Sequence, residues 1–239
     1  MKKYKITGQI VDNETGDFFR DFLGIESTSP KNVKKFLDEA NGEDIVIEIN
    51  SPGGSVFDGV EIYNELNSYK GNVTVDIVGL AASISSVIAT AGNKTRISAG
   101  SMIMIHNVSS GAYGDYNDMN HQAEILKTAN KSIAHAYELK TGMSGEELLE
   151  LMNKETWLDS KTAIELKFAD ELLNNKTDSN KNLNLSNTIG VNILSNEVVQ
   201  NLKNKLFDSS INEKDNSDFL FKQNKLKAEL KLKKLKEVQ

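Results

Sequence analysis

Three short apolar runs between residues 45 and 105 each end in a glycine, serine or histidine segment, and this repetition restricts the fold more than any other feature. The runs are residues 45–49, 73–78 and 101–105, followed by Asn-Ser-Pro-Gly-Gly (50–54), by Gly-Leu-Ala-Ala-Ser (79–83) and by His106. Short runs rich in β-branched residues are typical of buried strands. Strands that alternate with helical patterns predict an α/β fold with right-handed crossovers and a largely parallel sheet.

The same periodicities predict further elements on both sides of this region. The predicted strands are residues 5–11, 45–49, 73–78 and 101–105, and the predicted helices are 32–40, 56–66, 83–91, 117–141, 144–152 and 159–166. Ser144 and Glu147 have the spacing of a capping box, which marks the start of a helix. Residues 169–173 then close the compact part of the chain.

The composition changes after residue 173, so we predict a domain of residues 1–173 and a C-terminal extension of residues 174–239. The extension contains 13 asparagines, and its 12 lysines against 8 acidic residues give a net charge of +4, whereas residues 1–173 have a net charge of −10. Such a composition buries little apolar area, so we expect the extension to be mostly disordered or helical and dispensable for the chemistry of the domain. Within it, residues 219–238 fit a basic amphipathic helix that forms on an acidic partner.

Composition also excludes several classes of function. The chain has no cysteine, three histidines and a net charge of −6, so thiolate chemistry and Cys-based zinc sites are excluded and nucleic acid is not an expected partner. The histidines lack the HExxH spacing of a zinc protease, and we expect neither a metal nor a cofactor. Because no apolar run approaches 18 residues, we expect a soluble cytoplasmic protein without a membrane partner.

The segments that follow the three runs carry the candidate chemistry. Open α/β sheets bind their ligands at the carboxyl ends of the strands, so these segments should meet. Gly53 and Gly54 offer backbone N–H groups, Ser83 begins an apolar helix, and His106 ends a strand. These features match the oxyanion hole, the nucleophile and the base of a serine hydrolase. The Ile84 N–H at the helix N-terminus could also bind an oxyanion.

Each of these residues also has a purely structural interpretation. A lone serine at a helix start is more often an N-cap, and Ser83 could be one. The glycine pair could be a turn that needs positive φ, or a phosphate cradle, although no GxGxxG or GK[ST] pattern follows. His106 could be a buried structural histidine. We expect His121 and His135 to be ordinary residues of the long helix.

Four segments, taken together and in order, resemble the Clp protease proteolytic subunit (ClpP), and most closely the Clp-like head maturation proteases encoded by phages and prophages. The segments are residues 49–54, 79–83, 104–106 and 155–158, within a resemblance that covers about residues 20–173. The resemblance implies a ClpP/crotonase-like fold of repeated β-β-α units. It also implies a helical handle at residues 117–141 and ring-shaped homo-oligomers.

The resemblance assigns a role to each matching residue. Ser83 would be the nucleophile and His106 the base, with the oxyanion bound by the N–H groups of Gly54 and Ile84. Two segments would pair with the extended backbone of a substrate by β-augmentation. These segments are Gly54, Ser55 and Val56, and Asn107, Val108 and Ser109.

Two carboxylates are candidates for the acid of the triad. The family usually has an aspartate two residues before an aromatic residue, and this chain has Glu155 before Trp157. A glutamate is one methylene longer but can still orient His106. Asp159 is the competing candidate, although it also fits an N-cap for the helix that follows. We therefore predict Glu155 as the acid.

The resemblance implies a serine-type endopeptidase with a phage function, cleaving capsid or scaffold proteins in the host cytoplasm or inside the prohead. The extension would then direct the enzyme into the prohead and be removed by self-cleavage. The main alternative is a cellular ATP-dependent Clp subunit, although the N-terminal region lacks the family's usual gating segment and docking pattern for an AAA+ unfoldase. A crotonase-fold enzyme that acts on acyl-CoA is a further alternative, but it does not need the serine–histidine pair. A non-enzymatic assembly protein would not need it either.

Overall fold

A mostly parallel sheet of eight strands organises the residues that the computed structural model describes, which are 1–173, 194 and 198–202. The strands are β1 (Lys2–Ile10), β2 (Ser27–Thr28), β3 (Ile45–Gly54), β4 (Val73–Ala82), β5 (Lys94–Ile97), β6 (Met102–Ile105), β7 (Thr156–Asp159) and β8 (Glu171–Leu172). The helices are α1 (Asn13–Phe18), α2 (Pro30–Ala40), α3 (Val56–Asn67), α4 (Ile84–Ala89), α5 (Tyr116–Thr141), α6 (Gly145–Asn153) and α7 (Ser160–Glu165). A π-helical turn, Phe19–Leu23, continues α1, and residues 198–202 are helical.

The sheet divides beside β4, and this division creates the edge on which the candidate site lies. The strands follow the order β2-β1-β3-β4-β5-β8. Residues 74–77 of β4 pair with β5, whereas residues 80–82 pair with β6 in parallel. β7 then pairs with β6 in the antiparallel direction. The carboxyl end of β4 therefore lies between the ends of β3 and β6.

The core forms around the central strands. Ile45, Val46 and Ile47 of β3 are all buried, as expected for a parallel strand covered on both faces. Helices α2 to α4 supply apolar side chains from their inner faces, among them Val33, Ile62 and Ile88. The predicted α/β fold with a largely parallel sheet is thereby confirmed.

Helix α5 is the longest of the described elements and spans the residues for which a handle is predicted. It begins with a capping box formed by Asp115 and Asp118 and ends at Gly142, which has φ +74°. Its buried residues lie in the last third of the helix, whereas the first half is largely exposed. In the part of the chain that the structure describes, no helix combines the length and the apolar character needed to cross a membrane.

A second, smaller apolar cluster lies beside β1 and contains residues of the predicted extension. Val199 and Leu202 are buried against Phe18, Phe19 and Leu23. The side chain of Gln9 accepts from the Leu194 N–H at 3.0 Å and donates to the Leu194 carbonyl at 3.1 Å. Residues 194 and 198–202 therefore pack on the N-terminal region. The domain boundary at residue 173 stays a prediction, and the proposed helix at 219–238 lies outside the described residues.

Several elements lack a clear sequence pattern and were not predicted. These are α1 with its π-helical turn and the short strands β2, β5, β7 and β8. Strands of two to four residues are too short to establish a period, because only one or two side chains lie on each face. Of the missed strands, β7 matters most, because Glu155 immediately precedes it.

Candidate active site

Ser83 occupies a tight turn between β4 and α4. Its backbone has φ +56° and ψ −131°, a region that residues other than glycine rarely adopt. The Ser83 N–H donates to the Met104 carbonyl of β6 at 2.9 Å. The side chain makes no capping hydrogen bond to α4. Ser83 therefore stands at the N-cap position of α4 without capping the helix through its side chain, and the strained turn leaves Ser83 Oγ available for a different partner.

That partner is His106, which directly follows β6. His106 Nε2 lies 2.8 Å from Ser83 Oγ. The register of the sheet explains the contact, because Ala82 of β4 pairs with Met104 of β6. Both side chains are only partly buried, so the pair stays open to a substrate. A serine hydroxyl within hydrogen-bond distance of an imidazole nitrogen is the arrangement of an activated nucleophile.

The Gly53-Gly54 turn packs directly against the Ser83 turn. Gly53 has φ +88° and Gly54 has φ +150°. A methyl group at Gly53 would lie 2.8 Å from Ser83 Cβ and 3.1 Å from the Ile84 nitrogen, and no side chain fits in that space. Ile84 is the first residue of α4, and the N–H groups of a first turn have no partner within the helix. A cluster of backbone N–H groups beside a serine can bind the oxyanion of a tetrahedral intermediate.

Two buried serines fix the relative position of these turns. Ser51 Oγ accepts from the Gly53 N–H at 3.1 Å and donates to the Gly8 carbonyl at 2.7 Å. Ser85 Oγ is 2.8 Å from the Ser51 carbonyl and 2.7 Å from the Ala82 carbonyl. The glycine turn is thus attached both to β1 and to the start of α4. Ser51 and Ser85 could not be predicted from the sequence, because their roles depend on contacts between elements.

A cleft of about 680 Å³ runs past Ser83 and His106. All of the predicted site residues except Glu155 line this cleft. They are Gly54, Ser55, Val56, Ser83, Ile84, His106, Asn107, Val108 and Ser109. The cleft is also lined by residues that were not predicted, including Val11, Leu194 and Val199. Glu155 does not line it.

The segment after His106 is held by side chains from two helices. The Val108 N–H donates to Asn130 Oδ1 of α5 at 2.7 Å. The Asn107 side-chain amide donates to Asn153 Oδ1 of α6 at 2.6 Å. Asn130 and Asn153 were not identified from the sequence, since polar residues of a helix surface give no signal of such contacts. They fix the loop that forms one wall of the cleft.

The two acid candidates have different surroundings. Asp159 Oδ1 accepts from the Thr162 N–H at 2.8 Å, so Asp159 is the N-cap of α7. This hydrogen bond lowers the pKa of Asp159. Glu155 Oε1 accepts from Trp157 Nε1 at 3.3 Å. Among residues 1–173, neither carboxylate is hydrogen-bonded to His106.

The register between β6 and β7 separates the two acids further. Ile105 pairs with Thr156 and Met102 pairs with Asp159. His106 follows Ile105 and Glu155 precedes Thr156 in the chain, so both residues adjoin the last pair of this register. Asp159 pairs with Met102, three residues back along the strands, which is about 10 Å from that last pair. Glu155 also has φ +49°, and strained backbone of this kind is often found at functional sites.

The remaining histidines lie on α5, away from the cleft. His121 is exposed, and His135 Nδ1 lies 2.9 Å from Glu138 Oε2 on the next turn of the helix. Among the described residues, no three His, Asp or Glu side chains are grouped so that they could hold a metal ion. The serine–histidine pair is accordingly the chemical centre of the cleft.

Comparison with known proteins agrees with this geometry. The family model for Clp protease matches residues 31–176. The chain is 34% identical over 144 residues to an ATP-dependent Clp protease proteolytic subunit of Ligilactobacillus salivarius (strain UCC118), covering 59% of this chain and 73% of that protein. It is 29% identical over 132 residues to the ATP-dependent Clp protease proteolytic subunit 2 of Tropheryma whipplei (strain Twist), covering 54% of this chain and 73% of that protein. The chain with its paired Ser83 and His106 therefore belongs to the Clp protease family, whose members are serine peptidases.

Proposed function

We propose that this protein is a serine endopeptidase with Ser83 as the nucleophile and His106 as the general base. Ser83 Oγ attacks the scissile carbonyl while His106 Nε2 takes its proton. His106 then returns that proton to the leaving amine. In the second half of the reaction, His106 takes a proton from water, and the water oxygen attacks the acyl-enzyme carbonyl. The proton then passes to Ser83 Oγ as the carboxylic acid product leaves. The observation that carries this proposal is the distance of 2.8 Å between His106 Nε2 and Ser83 Oγ at the strained turn before α4.

The oxyanion of each tetrahedral intermediate would be bound by the backbone N–H groups of Gly54 and Ile84. The close packing of Gly53 against the Ile84 nitrogen supports this proposal, because it brings the two turns together. Ser51 Oγ accepts from the Gly53 N–H and Ser85 Oγ donates to the Ser51 carbonyl, and these bonds hold both turns before substrate binds. Donors that are fixed in advance stabilise developing charge without a cost of reorganisation.

Glu155 is the acid that we propose to orient His106. The register of β6 with β7 and the positive φ of Glu155 support this choice. Its exposed carboxylate accepts one hydrogen bond, at 3.3 Å from Trp157 Nε1, so a rotation of the side chain toward His106 Nδ1 breaks only a long hydrogen bond. Asp159 would have to give up its cap on α7 for the same role.

The proposed substrate is an extended polypeptide. The segments 54–56 and 107–109 lie on the cleft together with Ser83 and His106. An extended chain between them would add a strand by β-augmentation, in which main-chain hydrogen bonds supply affinity and pockets for side chains supply specificity.

For the biological role, we propose phage head maturation, in which a ring-shaped homo-oligomer cleaves capsid or scaffold proteins. The sequence resemblance to Clp-like head maturation proteases supports this role. The charge of the chain supports it as well, because a basic extension joined to an acidic domain can bind an acidic scaffold or coat protein. The second candidate is a cellular proteolytic subunit that works with an unfoldase. The names of the two bacterial relatives favour this alternative.

The catalytic proposal is tested by labelling the full-length protein with a fluorophosphonate and mapping the adduct by peptide mass spectrometry. We expect a single adduct on Ser83, abolished in Ser83→Ala and retained in Ser68→Ala. Ser68 is a suitable control because its side chain is exposed and donates to backbone carbonyls at the end of α3, those of Asn64 and Glu65. Labelling of another serine, or equal labelling of Ser83→Ala, would overturn the proposal.

The biological role is tested by supplying two kinds of substrate. A head maturation protease should cleave purified capsid or scaffold protein of its phage without ATP. A cellular subunit should degrade unfolded casein only when a Clp unfoldase and ATP are present. Degradation that depends on ATP and the unfoldase, with no cleavage of the capsid or scaffold protein, would favour the second candidate.

A further inference from the structure

The Ser83–Ile84 peptide carries both the carbonyl of the proposed nucleophile and the proposed oxyanion donor. The Ser83 carbonyl accepts from the Ser86 N–H at 3.0 Å and from Ser86 Oγ at 2.6 Å. A trans peptide is planar, so its C=O and N–H groups point in opposite directions. Holding the Ser83 carbonyl against α4 therefore fixes the direction of the Ile84 N–H.

Ser86 is in turn held by Tyr137 of α5. Ser86 Oγ lies 2.7 Å from the Tyr137 hydroxyl. A serine hydroxyl has one hydrogen, which is already directed at the Ser83 carbonyl, so Tyr137 must be the donor. Both residues are 1% exposed, and burial raises the pKa of Tyr137. The phenol therefore stays protonated and keeps its hydrogen for Ser86.

The ring of Tyr137 is positioned as firmly as its hydroxyl. It packs edge-on against Phe168, with ring centroids 5.4 Å apart. A fully buried phenol loses its hydration, and that loss is offset only by a good hydrogen bond. Ser86 provides that hydrogen bond directly behind the Ser83 turn.

We propose that Tyr137 and Ser86 are positioning residues that orient the Ile84 N–H toward the oxyanion through the Ser83 carbonyl. The proposal rests on the roles of Ser83 and Ile84 proposed above. It assigns a contribution to rate, not only to stability, to two buried hydroxyl groups that never touch the substrate. Because the effect acts on the oxyanion, it appears in the transition state and not in substrate binding.

The test compares four variants of the full-length protein, which are Ser86→Ala, Ser86→Thr, Tyr137→Phe and Thr95→Val. Thr95 is the matched control, because its buried Oγ1 also donates to a carbonyl of α4, that of Ala89 at 2.9 Å, but at the far end of the helix. The measurements are kcat and KM on a fluorogenic peptide, the melting temperature, and the affinity for a peptide boronate. The tetrahedral adduct of a boronate places an oxygen in the oxyanion hole.

We expect Ser86→Ala to lower kcat about 10- to 100-fold and to weaken boronate binding in parallel, with KM nearly unchanged. Tyr137→Phe should lower kcat about 3- to 10-fold, and Ser86→Thr, which keeps the hydroxyl, should restore most of the loss of Ser86→Ala. Thr95→Val should lower the melting temperature without changing kcat. The inference would be overturned if Ser86→Ala and Tyr137→Phe lowered only the melting temperature, or if Thr95→Val lowered kcat equally.

Ser83→Ala, measured beside these variants, separates this inference from the proposed function. If Ser83→Ala still turned over substrate, the proposed function itself would fail. If Ser83→Ala were inactive while Ser86→Ala and Tyr137→Phe kept the full kcat, only the positioning role would be contradicted.

Discussion

His106 Nε2 lies 2.8 Å from Ser83 Oγ although 23 residues separate them in the chain. The contact follows from the place where β4 changes partner. β5 leaves β4 after Ile77, and β6 takes its place beside residues 80–82. The residue after β6 is thereby brought to the end of β4, where the Ser83 turn begins. The topology of the sheet, more than any local sequence preference, assembles the pair.

The acid can be identified by a pair of substitutions. Glu155→Gln keeps the size of the side chain but removes the charge that holds and stabilises the His106 imidazolium, so kcat should fall by about 10² to 10⁴. Asp159→Asn should leave kcat nearly unchanged, because asparagine caps a helix as well as aspartate. Steady-state kinetics on a fluorogenic peptide measures both effects. The reverse pattern would transfer the role to Asp159.

The glycine turn should tolerate no side chain. A methyl group at Gly53 would lie 2.6 Å from the Ala82 carbonyl oxygen and 2.8 Å from Ser83 Cβ, and Gly53 has φ +88°. Gly53→Ala should therefore displace the turn and lower kcat by about 10² or more. Gly100→Ala is the control, because nothing lies within 4 Å of the added methyl. Equal activity of the two variants would show that the turn does not form part of the oxyanion hole.

The exposed half of α5 should form a contact between copies of the chain. Met119 is 40% exposed and Ile125 is 45% exposed, and apolar surface of this kind often marks an interface. In the sequence, apolar residues of this helix lie near helical spacing, which predicts an apolar stripe of Met119, Ala123, Leu126, Ile133 and Tyr137. Ile133 and Tyr137 are buried in the domain core, so the N-terminal part of the stripe is the part that needs a partner.

Analytical ultracentrifugation at micromolar concentration tests this interface. We expect closed rings for the unmodified protein and smaller assemblies for Met119→Lys/Ile125→Lys. Lys127→Glu is a suitable control for a change of charge on the same helix, because Lys127 is exposed and its hydrogen bond goes to Glu124 of the same helix. A monomeric unmodified protein would contradict the prediction.

Truncation after Leu173 tests the proposed domain boundary. The truncated protein should keep its kcat on a short peptide, because Ser83, His106 and Glu155 all precede the cut. It should lose stability, on the order of 3 kcal/mol, since Val199 and Leu202 no longer cover the cluster around Phe18 and Phe19. KM should rise because Leu194 and Val199 line the cleft.

Thermal unfolding and peptide kinetics measure these effects. The full-length variant Val199→Ala/Leu202→Ala should reproduce a large part of the stability loss without a change in kcat. An unfolded or inactive truncated protein would mean that the extension belongs to the catalytic domain.

The central strands and the candidate serine and histidine could be predicted because each is marked by a local sequence pattern. β3, β4 and β6 are apolar runs with clear ends, and a glycine, serine or histidine marks each end. No local pattern of this kind distinguishes Glu155 from Asp159 as the acid. The distinction depends on the register of β7, a strand of four residues without a period of its own. The hydrogen bond between Ser86 and Tyr137 joins residues 51 positions apart, and no local pattern predicts such a contact.

The most direct test of the central claim is the activity of Ser83→Ala beside Ser68→Ala, both as full-length protein on the same fluorogenic peptide. With Ser83 as the nucleophile, Ser83→Ala should lose on the order of 10⁶-fold in kcat, because a triad without its nucleophile loses nearly all of its function. Its melting temperature should stay close to that of the unmodified protein, since His106 is the only hydrogen-bond partner of Ser83 Oγ within the described residues. Ser68→Ala should keep full activity. Turnover by folded Ser83→Ala at the unmodified rate would contradict the account.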